Sequence, residues 1–160
     1  MRVLAVDPGY DRLGVAVLEK QAGKEVLLHS TCVETSKTKT LSERLHHLGE
    51  TLNSLLHEYR PDQLAIETLF FNKNVKTAVA VAQARGVILF LAEQAGCSIA
   101  EFGPQEIKVA VTGYGKSDKQ AVIDMVKRLV SDAPTDALDD EYDAIAVGIT
   151  ALACAHTPIR

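Results

Sequence analysis

Four acidic residues, Asp7, Glu67, Asp140 and Asp143, stand where a folded chain could turn them toward one centre. Asp7 closes the short apolar run Val3-Leu4-Ala5-Val6 and precedes Pro8-Gly9, which reads as the end of a strand at a turn. Glu67 closes a second such run, Leu64-Ala65-Ile66. Asp140 and Asp143 are three apart in a helical stretch and therefore share one face. A single buried acid without a partner is costly, whereas several acids around divalent cations neutralise one another's charge and hold the ions for phosphoryl transfer.

Plainer readings of these acids differ in strength. Asp7 alone fits an Asx turn with Gly9. Asp136, Asp139, Asp140 and Glu141 enrich the first turn of a helix and favour its dipole, which is reason enough for Asp136, Asp139 and Glu141. Asp143 is harder to dismiss, because Ala144, Ile145, Ala146, Val147 and Gly148 after it put this acid at the edge of a core. Glu67 has no cheap alternative, since acids at the ends of buried strands are uncommon. With an extra acid at Asp139, the partner of Asp143 is either Asp139 or Asp140.

The elements that must position these residues follow from period and punctuation. Residues 2 to 7, 13 to 18 and 26 to 33 predict a meander of three antiparallel strands. Leu41, Leu45, Leu48, Leu52, Leu55, Leu56 and Tyr59 then follow helical spacing until Pro61, with His46, His47 and His57 on the polar side. A strand over 62 to 67, an Ala-rich helix over 74 to 95 capped by Gly96, and a short strand over 98 to 101 come next. Pro104 opens a brief helix, Gly113-Tyr114-Gly115 makes a loop, and residues 117 to 130 form a helix capped by Ser117 or Asp118. A last helix covers 137 to 155. Antiparallel strands first, then strands alternating with helices, predict an α/β fold with a mixed sheet covered by helices on both faces.

With 160 residues the chain reads as a single domain over 1–160 with one core. Its 47% hydrophobic and 24% charged residues suit a globular protein, and no apolar run approaches the roughly 18 residues of a membrane span. Met1-Arg2 leads straight into a strand, so no signal peptide is expected. Cys32, Cys97 and Cys154 are odd in number and lack ligand spacing, as expected of free thiols in the reducing cytoplasm. The net charge of −4 argues at first against nucleic acid. Yet Lys73, Lys76, Arg85, Lys108, Lys116 and Lys119 all fall between residues 73 and 119, enough for a local basic face on which DNA could lie.

Five segments in order carry a resemblance: Asp7-Pro8-Gly9, residues 66 to 74 (Ile-Glu-Thr-Leu-Phe-Phe-Asn-Lys-Asn), Gln83-Ala84-Arg85-Gly86, Gly113-Tyr114-Gly115 with Lys119 after it, and Asp140-Glu141-Tyr142-Asp143-Ala144. Together they resemble the RuvC family of Holliday junction resolvases. The resemblance implies a ribonuclease-H-like fold, a homodimer with two active sites, Mg2+ or Mn2+ as cofactor with two ions per site, and paired symmetric nicks in four-way junction DNA. By position it makes Asp7, Glu67, Asp140 and Asp143 the metal ligands. Lys108 and Lys119 become the basic residues near the scissile phosphate, and Phe70 the aromatic that stacks on an unpaired base. Branch-migration proteins of the same pathway are the implied partners. The chain departs from the family pattern in Glu141 and Tyr142, where two small residues are usual, and in Lys116, an additional cation in the loop.

Three rivals deserve comparison. Gly115-Lys116-Ser117 looks like the end of a P-loop, but the first glycine of that motif falls on Ala110 and a helix precedes it. Asp7-Pro8-Gly9 also resembles the phosphate loop of actin-like ATPases, whose sites lie between two related domains where this chain supplies one. A noncatalytic junction-binding module would have no need of all four acids.

Overall fold

The computed structural model describes residues 1–68 and 75–155, and of Val75 and Lys76 the backbone alone. Among the described residues the elements run β1 (Arg2–Asp7), β2 (Arg12–Gln21), β3 (Lys24–Glu34), α1 (Leu41–Tyr59), β4 (Gln63–Glu67), α2 (Val75–Gln94), β5 (Ser98–Phe102), α3 (Pro104–Thr112), α4 (Lys119–Leu129) and α5 (Asp139–Cys154). The five strands form one sheet in the order β3-β2-β1-β4-β5. β2 pairs antiparallel with β1 and β3, while β4 lies parallel between β1 and β5, so the sheet is mixed as expected.

Local signals account for the boundaries. Thr40 caps α1 in a capping box with Glu43: the Glu43 N–H donates to Thr40 Oγ1 at 3.3 Å and the Thr40 N–H donates to Glu43 Oε2 at 2.8 Å. Asp118 rather than Ser117 caps α4, its Oδ1 accepting from the Ala121 N–H at 2.8 Å. β2 and β3 are each longer than the apolar runs alone suggest, because their polar ends continue the ladder to the Gln21–Lys24 pair.

Alternation along the strands sorts the core into two layers. Val3 and Ala5 of β1, Ala16 and Leu18 of β2 and Ala65 of β4 pack against α3, α4 and α5. Leu4, Val6, Val15, Val17, Leu64 and Ile66 face the other way, onto α1 and α2. Helices therefore cover both faces. The parity has a direct consequence: Asp7 continues the row of Val3 and Ala5, and Glu67 the row of Ala65, so both acids point to the α5 side. β1 and β4 are neighbours in parallel register, Val6 beside Ile66, which brings Asp7 and Glu67 out at the carboxyl ends of adjacent strands.

Small residues let α5 lie close over this sheet. A Cβ on Gly14 would stand 1.9 Å from the Asp140 carbonyl oxygen, and one on Gly148 would stand 2.2 Å from Leu18 Cδ1 and 3.2 Å from Ala5 Cβ. Gly14 is also the ladder partner of Asp7. The contact that seats the first turn of α5 is thus made directly beside the acid at the end of β1. Tyr142 fixes the same helix from its other side: it is buried and its hydroxyl donates to the Pro134 carbonyl at 2.7 Å. Glu141 accepts from Ser30 Oγ at 2.6 Å. The two residues that depart from the resembled pattern are therefore both engaged in anchoring α5.

No helix among the described residues is long and apolar enough to cross a membrane.

Gly14→Ala should destabilise the fold by about 1–3 kcal/mol, because the clash is with backbone rather than with a movable side-chain end. Gly148→Ala should cost less, since Leu18 Cδ1 can swing away. Thermal unfolding of the two variants checks the order; an unchanged Gly14→Ala midpoint would mean that α5 is not held by this contact.

Candidate active site

Each acid reaches the site from a different element. Asp7 ends β1, Glu67 ends β4, and Asp140 and Asp143 occupy the first turns of α5, a place where the helix dipole favours carboxylates. Lys119 is the first residue of α4. A lysine there opposes the helix dipole, so local stability does not explain it. Its Nζ lies 3.0 Å from Asp143 Oδ2 and 3.2 Å from Asp139 Oδ2. Lys108, on α3, lines a cleft of about 240 Å³ together with Glu67, Lys119, Asp143, Pro104 and Ile107. The structure thus brings together Asp7, Glu67, Asp140, Asp143, Lys108 and Lys119, which are 60 or more residues apart in places along the chain.

The electrostatics express that crowding. Burial, then the charges of Asp143, Glu67 and Asp140, push the Asp7 carboxyl up to about 7. Burial and then Asp143 raise Glu67, with Lys108 and Lys119 pulling the other way. Asp143 is likewise raised by burial first, against the hydrogen bond and charge of Lys119. Burial works against the charge of Lys119, but Asp143 and Asp139 outweigh it and keep the ammonium group above its ordinary range. Asp140, not Asp139, is among the charges acting on Asp7, while Asp139 pairs with Lys119. Burial and the charge of Asp140 also raise the nearby Cys32 thiol to about 11, leaving it un-ionised near neutrality.

The donor set is carboxylate oxygen throughout, the hard chemistry that Mg2+ and Mn2+ take. Two lysines, Lys108 and Lys119, against four acids leave negative charge that an added cation would offset. By charge and chemistry the residues fit divalent ions. Their present rotamers are set by other partners: among the described residues no three acid, His or Cys side chains close round one point tightly enough to hold an ion. Asp143 is turned onto Lys119, and Asp140 Oδ2 lies 3.7 Å from Arg12 Nη1.

The remaining expected residues are placed as follows. Lys116 is exposed in the loop between α3 and α4. Phe70 and Lys73 lie outside the described residues, as does the side chain of Lys76. Arg85 does not join the open surface. Its side chain is 15% exposed, its Nη2 pairs with Glu101 Oε2 at 2.7 Å, and its Nη1 donates to the Glu67 carbonyl at 3.2 Å. Sequence reasoning missed Arg12, whose contact with Asp140 depends on β2 passing under α5, and Arg44. The Arg44 guanidinium donates to Thr35 Oγ1 at 2.8 Å, bonds to the Tyr10 carbonyl and Asp11, and stacks on the Tyr10 ring, holding the turn after Asp7. Arg44 sits at a helical position between Leu41 and Leu48, and its place in the apolar stripe was a signal that its charge is buried.

A mixed sheet in this strand order, with acids at strand ends and a helix laid across them, is a ribonuclease-H-like fold. A T. thermophilus RuvC in complex with Holliday junction substrate superposes with a TM-score of 0.90 at 32% identity, covering 97% of this chain and 94% of that one. Proteins named crossover junction endodeoxyribonuclease RuvC from Brevibacillus brevis (40% identical, 94% of this chain and 90% of the relative) and Thermosipho melanesiensis (44% identical, 92% and 94%) are similar over nearly their full lengths. A family profile described as crossover junction endodeoxyribonuclease RuvC matches residues 3–151. The chain belongs to the RuvC family.

The raised Asp7 carboxyl has a sign that can be checked. A folded value near 7 against an ordinary 3.8 means that its contribution to stability is present below the lower value and lost as pH rises through the upper one. Glu67 and Asp143 act in the same direction. In metal-free protein, Asp7→Asn should therefore melt higher than the parent at about pH 8 and by a smaller margin at about pH 5. A margin equal at the two pH values would show that Asp7 is not strained by its neighbours.

Proposed function

We propose that this chain is a structure-selective endonuclease that resolves four-way DNA junctions by paired symmetric nicks. The observation that carries the proposal is the gathering of Asp7, Glu67 and Asp143, from β1, β4 and α5, where Asp143 raises the proton affinity of both Asp7 and Glu67, and Glu67 that of Asp7. Family membership supports junction DNA as the substrate, and the acidic cluster supports dependence on divalent cations.

Asp7, Glu67, Asp140 and Asp143 would hold two ions, Mg2+ or Mn2+, per site. Bound there, the ions supply an activated water and charge stabilisation for the leaving oxygen. The water oxygen attacks phosphorus, the bond to the 3′-oxygen breaks, and the products are a 5′-phosphate and a 3′-hydroxyl. Lys108 and Lys119 flank the cleft beside Glu67 and Asp143 and offset charge building on the phosphate. Lys116, Lys73 and Lys76 supply further backbone contacts, and Phe70, which lies outside the described residues, a stacking surface worth roughly 1–3 kcal/mol per base.

Two nicks of like polarity require two sites, hence a homodimer with one nuclease domain per chain. The outer face of α2 supports this reading: Val79 and Phe90 are 54% and 66% exposed, with Ala82 and Gly86 exposed between them at helical spacing. Free cysteines fit a reducing, cytoplasmic setting, and branch-migration proteins are the further partners that family resemblance supports.

The test is a labelled four-way junction and a linear duplex, each with and without Mg2+ or Mn2+. Symmetric nicks in the junction alone are expected, with Glu67→Gln and Asp143→Asn binding the junction but not cutting it, and Phe90→Asp reducing the dimer to monomers. Cleavage by either acid variant at the parental rate would mean the site is assigned wrongly; ATP hydrolysis by the parent would favour an actin-like ATPase.

A further inference from the structure

Arg85, one of the six basic residues from which the sequence suggests a DNA-facing surface, is largely covered by the fold. Arg85 extends from α2 to the carboxyl edge of the sheet, on the face opposite α5. Its guanidinium is largely covered, and both terminal nitrogens are engaged, one by the carboxylate of Glu101 on β5 and the other by the main-chain carbonyl of Glu67 on β4. Covering a charge is costly without partners, and a guanidinium offers a rigid planar fork well suited to two acceptors at once. β4 contributes only five residues to the ladder, and Glu67 is its last. The ladder on the β5 side runs Ile66 beside Glu101 and Glu67 beside Phe102, continued by the Thr68 N–H donating to the Phe102 carbonyl at 2.9 Å. Arg85 thus grips β4 and β5 together at the residue whose carboxylate lines the cleft on the other face.

We infer that Arg85 is a positioning residue: anchored by Glu101, it fixes the Glu67 main chain and so aims the Glu67 carboxylate at the cation site, without touching DNA. The inference rests on the nuclease reading above. It differs from a phosphate contact in what it affects. A phosphate contact acts through DNA affinity and its salt dependence. A residue that orients a ligand acts through cation affinity and the rate of the bound complex, typically by about 10- to 100-fold.

Three measurements on the full chain separate these. Junction affinity without divalent cation is read by fluorescence anisotropy across a salt series. Mn2+ affinity is read without DNA, from the rise in melting temperature as Mn2+ is added. Single-turnover nicking of preformed complexes is read as a function of Mn2+. For Arg85→Ala the junction affinity and salt slope should match the parent. The Mn2+ needed for half-maximal effect should rise and the saturated rate fall, together by about 10- to 100-fold. Arg85→Lys should recover part of the loss, because an ammonium group can serve one of the two acceptors. Glu101→Gln, which leaves the arginine in place but loosens its anchor, should shift the Mn2+ response in the same direction by less, and it carries the test if Arg85→Ala does not fold. A weakened junction affinity with a salt slope lower by about 1 and a parental Mn2+ response would overturn the inference in favour of a phosphate contact. Parental behaviour of Arg85→Lys and Glu101→Gln in all three would overturn it outright. A parent chain that fails to nick any junction would instead overturn the nuclease reading.

Discussion

Repulsion among carboxylates held at one edge of a sheet is the constraint around which this molecule is arranged. Burial and three neighbouring acids lift Asp7 to about 7, and the compensation comes from Lys119 at Asp7 and from Lys108 and Lys119 at Glu67. Such an arrangement is unfavourable for a structure that needs only to fold. It is favourable for one that takes up divalent cations, since ionised oxygens in poor solvation gain most from a metal.

The fold enforces this crowding with ordinary means. Strand parity turns Asp7 and Glu67 to the same face, parallel register sets them side by side, and Gly14 allows the first turn of α5 to settle on β2 next to Asp7. Two arginines keep the strand ends in place from the opposite face and from the turn: Arg85 at Glu67 and Arg44 at Tyr10 and Asp11. Lys119 is placed at the start of α4 against the helix dipole, and its contacts with Asp139 and Asp143 hold it there.

Much of this was legible in the chain. The two apolar runs ending in Asp7 and Glu67 marked strands, and the i,i+3 spacing of Asp140 and Asp143 marked a shared helix face, because both signals are periodic and local. The choice between Asp139 and Asp140 was not, since it depends on where α5 meets β2 and on which acid Lys119 takes, and both are tertiary facts. Arg85 shows the limit most clearly. Counting cations between residues 73 and 119 suggested one basic surface, yet burial and pairing decide which cations face solvent, and those depend on where α2 crosses the strand ends. Tyr142 and Glu141 looked like departures from a pattern and turn out to anchor the helix that carries the acids.

Calorimetric titration of Mn2+ into the DNA-free protein at about pH 6.5, in two buffers of different ionisation enthalpy, reads out whether the crowded acids give up protons to a cation. If crowded acids hold protons that a cation displaces, the apparent binding heat will differ between buffers by the amount that proton release requires, and the difference will shrink when Asp7 is replaced by Asn. Binding heats identical in the two buffers, or no binding at all, would contradict the account.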